Sequence, residues 1–376
     1  LPARVGQVWE YFKMSLRFYV RANLYEDMDN LTHAALGLSA GVVVARKGGS
    51  LPAAAVAALI AAEIPDIDVF IRSADDPLSS FRWHRHFTHS FSFMPIWAIV
   101  CAGFTAWLFK WINKPGIHWK ELIIPSFVGA LTHLLCDGCT SYGTMLLWPF
   151  NEIRYAWDCL PIVDLFATLP LLILTIIALR KSSKKIAAFG LIWFCSYAGL
   201  GIYQHARAEK SLRAWLNEQK ISPERLAVKP TISNLILWRG VWLHEGEWQV
   251  AAVRVVPFTD TLIAPGEKSL AWTLNSAGNP PLGSEGEKMI KDFTRFTQGW
   301  NAYSIKESGI LIGDIRFAML PDSARSLWSV YYGAKDKSYP GSQVADVIMD
   351  RQVKEADWTH LKDLLLGEDK NYQKVN

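Results

Sequence analysis

The stretch SFSFMPIWAIVCAGFTAWLF, residues 90–109, contains no charged side chain. As a helix rising 1.5 Å per residue it would cover about 30 Å, the depth of a bilayer's hydrocarbon core. Ile186–Gln204 is a second charge-free run of similar reach, and Cys159–Leu179 is a third with one intruder, Asp164. Leu31–Ala45 and Gly48–Ala62 are shorter, about three-quarters of a span each, and Arg46-Lys47 joins them into an expected hairpin of short helices. Leu122–Cys136 is also short. A soluble protein with a buried helical core is the alternative reading. Three near-full-length apolar runs in one half of a chain argue against it and for a mostly α, membrane-embedded helical domain.

The apolar character stops near residue 205. The overall composition, 51% hydrophobic with 17 tryptophans, therefore averages two unlike halves. The second half mixes charges with Gly/Pro turns and lacks cysteine. Residues 234–256 read as two strands around a turn at His244–Glu247, and 309–320 as another strand. Met289, Phe293 and Phe296 have helical spacing within 286–300, and the helix predicted over 355–369 ends at Gly367. Three parts are expected: an interfacial N-terminal helix over 1–27, a multi-span helical membrane domain over 28–205, and a soluble α+β domain over 206–376. The first rests on Arg4, Lys13, Arg17 and Arg21 lying among Trp9, Phe12, Leu16 and Phe18, a mixture that suits an interfacial amphipathic helix better than a signal sequence.

Three short loops are basic: 45–47, 110–120 and 180–185. The positive-inside rule places them in the cytoplasm. If every run crosses once, residues 66–89 and 136–158 lie outside, and the C-terminal domain is extracytoplasmic. The basic N-terminal stretch would then also lie outside, against the same rule.

Immediately before the opening run stands FRWHRHFTHSF, residues 81–91, with three histidines. In the topology above, His33, Asp66, Asp68, His84, His89, His133 and Asp137 come to one membrane level. His133 and Asp137, four residues apart, share a helix face. His33 begins an apolar helix behind Asn30 and Thr32, which can cap it. Ionisable groups at such depth are costly unless paired or bound to metal. Imidazoles and carboxylates together suit a divalent metal, zinc first, with manganese and iron as alternatives. His33, Asp66, His84, His89, His133 and Asp137 are the candidate ligands. Asp68 is a ligand, a base or the acceptor that orients a histidine. Arg85 is either an anion clamp or a headgroup contact. His86 either supports a ligand or lies at the surface, and Asp164 either joins the site or pairs with a base. His118, His205, His244 and His360 read as interfacial or surface residues.

A net charge of +4 gives no case for a nucleic-acid partner. H-E-x-x-H, the phosphate-binding G-x-x-x-x-G-K-[ST] loop and the G-x-S-x-G elbow do not occur. Cys136 and Cys139 form a lone C-x-x-C, too little for a zinc ribbon. Mixed His/Asp ligands around two or more metals usually activate water, so metal-dependent hydrolysis is the expected reaction class.

DNLTHAALG (29–37), PDID (65–68), HRHFTHS (84–90), THLLCDGCTSYGTMLLWPF (132–150) and PTISNLILWRG (230–240), in this order, resemble the YdjM-like family of inner-membrane, metal-dependent hydrolases. The match is tight over about 28–150. The resemblance implies a multi-pass protein of the inner membrane with a hydrolytic metal site. His33, Asp66, Asp68, His84, His89, His133 and Asp137 match its polar positions, and Thr88, Thr132 and Thr140 its threonines. A more distant similarity to zinc-dependent phospholipases C points towards phosphoesters. The expected substrate is a lipid or small-molecule ester met at the membrane lipid surface. The alternative is a non-catalytic, metal-stapled membrane scaffold or binding protein.

Overall fold

Among the described residues seven α-helices build the first half: α1 (Tyr25–Val44), α2 (Leu51–Glu63), the short α3 (Ser79–Trp83), α4 (Met94–Trp111), α5 (Trp119–Cys139), α6 (Leu165–Arg180) and α7 (Lys184–Glu218). The structure is a computed structural model and describes residues 25–73, 76–112, 116–334, 343–350 and 354–375. The interfacial helix expected over 1–27 falls almost wholly outside the described residues.

α2, LPAAAVAALIAAE, is the axle of this half. Ser50 caps its start, with the Ala53 amide donating to Oγ at 3.3 Å. Its alanines let α1 and α5 approach closely on either side. A Cβ at Gly129 of α5 would sit 2.1 Å from the Ala58 carbonyl, so only glycine fits there. Polar pairs fasten α1 to α6: Thr32 with Thr168 at 2.7 Å, and Ser39 with Thr175 at 2.8 Å. Both numbers rise together, so the two helices run in the same direction.

Two expected spans change length. The helix foreseen over Cys159–Leu179 begins only at Leu165, because Asp164 accepts from the Phe166 and Ala167 amides and caps it. α5 instead starts at Trp119, earlier than the expected Leu122. Among the described residues α4, α5 and α7 are long and apolar enough to cross a membrane, and Asn30–Val44 and α6 are apolar but shorter. Ile99, Trp107, Ile173, Phe189 and Ile192 are exposed on their outer sides. An apolar belt of this kind fits membrane association.

Arg46 donates to Glu121 at 3.0 Å, and Lys184 donates to the Ala45 carbonyl. The three basic loops therefore gather at one end of the bundle.

At the other end stands a nine-stranded antiparallel sheet: β1 (Arg225–Pro230), β2 (Leu237–His244), β3 (Glu247–Arg254), β4 (Thr261–Ala271), β5 (Asn301–Lys306), β6 (Gly309–Asp314), β7 (Trp328–Ala334), β8 (Gln343–Met349) and β9 (Gln373–Val375). The first eight pair in chain order and β9 pairs with β4. The β2–β3 hairpin turns through Glu245 and Gly246, both at positive φ, as a two-residue hairpin matching the strand twist requires. The sheet folds back on itself. Trp248 and Val250 of β3 meet Trp300, Ala302 and Ile315 from the later half. The expected strand over 309–320 ends at Asp314, and the helix over 286–300 is α8, Glu285–Phe296. α9 (Glu355–Leu366) stops at Gly367, φ 78°.

Sheet and bundle are not separate bodies joined by a linker. α7 has 35 residues and passes residue 205 without a break. Its later turns carry Leu212, Trp215 and Leu216 into one core with Trp238 and Trp242 of β2 and Val253 of β3. α8 and β7 bring Phe293 and Trp328 against Leu78 and Phe81. The sheet thus roofs the segment that carries the histidine cluster.

Candidate metal centre

Four segments supply the site. α1 brings His33, and α5 brings His133 and Asp137 one turn apart. Pro65 ends α2 in a 3-10 turn, Ile64–Phe70, which presents Asp66 and Asp68. The loop after α3 brings His84, Arg85 and His89. Arg85 lies at φ 58°, uncommon for a residue with a Cβ. This reversal points the Arg85 amide at Asp68 Oδ2, 3.0 Å away, and lets the Arg85 carbonyl accept from the Met145 amide at 3.0 Å. His84 and His89 then both face Asp68.

The distances knit these side chains into one connected cluster. His33 Nε2 is 3.4 Å from Asp137 Oδ1, and the His33 and His133 rings stack at 3.9 Å. His89 Nε2 is 3.1 Å from Asp66 Oδ1 and 3.4 Å from Asp137 Oδ2. His133 Nε2 is 3.5 Å from Asp137 Oδ2 and 3.8 Å from Asp66 Oδ1. Three overlapping groups have donor atoms close enough to share an ion: His33, His133 and Asp137; Asp66, His89 and His133; Asp66, Asp68 and His84.

Hydrogen bonding fits these side chains to a cation. His133 Nδ1 donates to the Ala62 carbonyl at 2.6 Å. A carbonyl only accepts, so the proton of the neutral ring is on Nδ1, and Nε2 turns a lone pair towards two carboxylates. Nε2 is buried and makes no hydrogen bond. Acceptors facing acceptors repel unless a cation lies between them. Asp68 is 1% exposed and orients both loop histidines, with Oδ1 3.0 Å from His84 Nδ1 and Oδ2 3.0 Å from His89 Nδ1. Thr88 Oγ1 also donates to Asp68 Oδ2 at 2.7 Å. Asp68 is thus engaged on both oxygens, the geometry of an orienting carboxylate and not of a base turned to substrate. Three carboxylates stand against one fixed cation, Arg85, and nitrogen and oxygen donors in this mixture fit a divalent cation.

Burial alone would raise Asp68, yet its bonds to His84 and His89 hold it well below the usual carboxylate range. Burial would likewise raise Asp66, and His133 and His89 outweigh it in the same sense. Burial disfavours a charged His89, but Asp66 and Asp68 push its pKa up to about 9. Proton and metal are thus alternatives at His89 Nε2.

The cluster has two ends. His33, His133 and Asp137 are fully buried. The side chains of Asp66 and His84 are 20% and 25% exposed and open into a cleft of about 930 Å³. Leu31, Ile60, Ile67 and Phe70 line it from the helices, Phe317 and Trp328 from the sheet region.

Other expected residues sort differently. Arg85, expected as an anion clamp or a headgroup contact, lines the cleft yet is buried, with Nη2 3.0 Å from Asp137 and Nη1 donating to Thr140 Oγ1 at 2.6 Å, so it balances the carboxylates. Thr140 in turn donates to the Asp137 carbonyl at 2.8 Å. Thr32 binds Thr168 and does not cap α1. Thr132 returns a bond to the Gly129 carbonyl at 2.7 Å, away from the cluster. His86 lies among the rings of Trp83, Phe87 and Trp148, where burial and then Arg154 push its pKa down. Asp164 caps α6 and accepts from Tyr197 at 2.8 Å, so it belongs to helix termination and not to the site.

Sequence reasoning missed Arg154 and Tyr142. Arg154 donates to the carbonyls of Phe81, Arg82, His84 and Gly143 and staples the histidine loop. The Tyr142 ring stands 5.4 Å from that of His84. An arginine that binds only main-chain carbonyls leaves no charge pattern to read. The segment THLLCDGCTSYGTMLLWPF (132–150), which contains Tyr142 and ends shortly before Arg154, was the available signal.

No curated protein and no solved structure matches the chain. The family model described as YdjM inner membrane protein matches residues 28–208, a segment that contains every candidate ligand. Over that segment, just under half of the chain, the sequence matches the YdjM inner membrane protein family.

Proposed function

We propose that this protein is an integral membrane hydrolase that uses a divalent metal, zinc first, to split a phosphoester of a lipid or envelope substrate. The observation that carries the reading is the convergence of His33, Asp66, His84, His89, His133 and Asp137 at the floor of an apolar cleft. A divalent ion held there supplies Lewis acidity to water and to the ester oxygen. The chain's own groups set the geometry. Asp68 fixes His84 and His89, and the Ala62 carbonyl fixes His133. Arg85 offsets the charge of Asp137. Asp66 and His84 form the edge that substrate meets, and the apolar walls take its acyl part. With the basic loops in the cytoplasm, cluster and sheet are extracytoplasmic.

Metal analysis of purified protein, with His89→Ala and Asp137→Ala alongside, tests the ligand set. Unchanged metal in both variants would sink it. A screen of lipid and generic phosphoesters with and without chelator tests hydrolysis, and labelling the C-terminus from outside intact cells tests orientation. A metal-stapled scaffold is favoured by one observation, the complete burial of His33, His133 and Asp137. Tightly held metal without chelator-sensitive turnover on any ester selects that reading.

A further inference from the structure

Tyr142 has a second neighbour. On its far side lies a cavity of about 220 Å³ that hydrolysis at the cluster does not use. Ser141, Arg154 and Asp158 line it from the loops after α5, and Lys229, Gln298 and Arg316 from the sheet side. Three cations thus face one carboxylate. Lys229 is 7% exposed and holds Asp158 through both oxygens, at 2.7 and 2.9 Å. Arg316 is paired with Asp314 through Nε and Nη2, at 2.9 and 2.7 Å, a pairing that leaves Nη1 unused. Among the described residues Arg154 has no carboxylate partner and donates to carbonyls alone. Arg225, stacked 4.3 Å from the Trp300 ring centroid and donating to the Gln298 carbonyl, adds positive charge at the rim. With Asp314 included, four cations stand against two carboxylates around a half-enclosed space.

Ser141 supplies the second observation. It is 6% exposed, lines the cavity, and its Oγ makes no hydrogen bond to any described group. An idle buried hydroxyl is costly unless something binds it. Buried cations in excess of their counter-charges ask for an anion in the same way. Arginine forks and an ammonium together suit a tetrahedral oxyanion.

We infer that this cavity is a binding site for a phosphate-class oxyanion, either free phosphate or the phosphate of a lipid headgroup. It stands on its own residues and does not depend on hydrolysis at the metal cluster. An anion there would lie one tyrosine away from His84.

The test uses the full chain in detergent with chelator present, so that the metal cluster contributes nothing. Inorganic phosphate is titrated in one arm and dihexanoyl phosphatidate in the other, with calorimetric readout. Saturable binding of at least one probe is expected. Binding of both assigns the site to phosphate as such; binding of the lipid alone assigns it to a headgroup. Ser141→Ala should weaken binding by about tenfold, the scale of one lost hydrogen bond to a charged group. Asp158→Asn removes the competing carboxylate and should tighten binding by about tenfold, a gain that damage to the fold does not produce. Failure of both probes to bind wild type and Asp158→Asn overturns the inference. So does binding that Asp158→Asn fails to tighten.

Discussion

The two ends of the histidine–aspartate cluster are built differently. At the closed end, His33, His133 and Asp137 sit on α1 and α5, fully buried and clamped through the alanines of α2. At the open end, Asp66 and His84 sit on a 3-10 turn and a loop, with side chains 20% and 25% exposed. The same residue types therefore do two jobs. Packed helices set a closed end that has little freedom to rearrange. Loops stapled by Arg154 set an open end that meets the cleft. Rigidity and access are divided between them, the arrangement a metal site with an accessible edge needs.

The largest effect should come from the closed end. Asp137→Ala strips ligand charge and leaves Arg85 buried without its ion pair, so we expect loss of bound metal and destabilisation by about 3–5 kcal/mol. Metal content and thermal unfolding report the two parts; wild-type values in both would erase the distinction between the ends. Next is a pH effect on the chelated protein. His89 faces Asp66, Asp68 and Asp137, with His133, His84 and Arg85 around them, and its pKa is raised from 6.5 to about 9. Its contribution is complete below pH 6.5 and is lost as pH rises towards 9, by up to about 3 kcal/mol. Asp66 and Asp68, held low, stay ionised throughout that window and add no slope. Denaturant melts of chelated protein at pH 6 and pH 9 check this, and equal midpoints would refute it.

His84→Ala acts at the open end. The fold and the closed ligands stay, so we expect a near-wild-type melting temperature with chelator-sensitive turnover lowered by about a hundredfold. A variant that also unfolds would mean that the two ends are one structural unit. The smallest effect belongs away from the cluster. Ser39→Ala removes one bond between α1 and α6 and should cost about 0.6 kcal/mol without changing metal content.

Much of the bundle was legible because long charge-free runs read as apolar helices. The pairing of His133 with Asp137 was legible because a helix puts residues four apart on one face. The rest turned on partners distant in sequence. Asp164 looked like a charge inside a span; only the amides of Phe166 and Ala167 identify it as the cap that starts α6. His86 looked like its two neighbours, and the left-handed turn at Arg85 directs it away from them. The inward course of the Arg85 guanidinium depends on Asp137 and Thr140, more than fifty residues downstream. The continuity of α7 was hidden because its composition changes near residue 205 while its backbone does not.

That continuity has a mechanical consequence. At 1.5 Å per residue α7 is a strut of about 50 Å, one part packed in the bundle and the other in the sheet's core. It contains no proline, the commonest source of a helix hinge. The sheet is therefore tied to the bundle through one continuous helix that lacks the commonest kind of pivot. Phe70 and Ile67, exposed and lining the cleft, are then a fixed apolar approach beside Asp66.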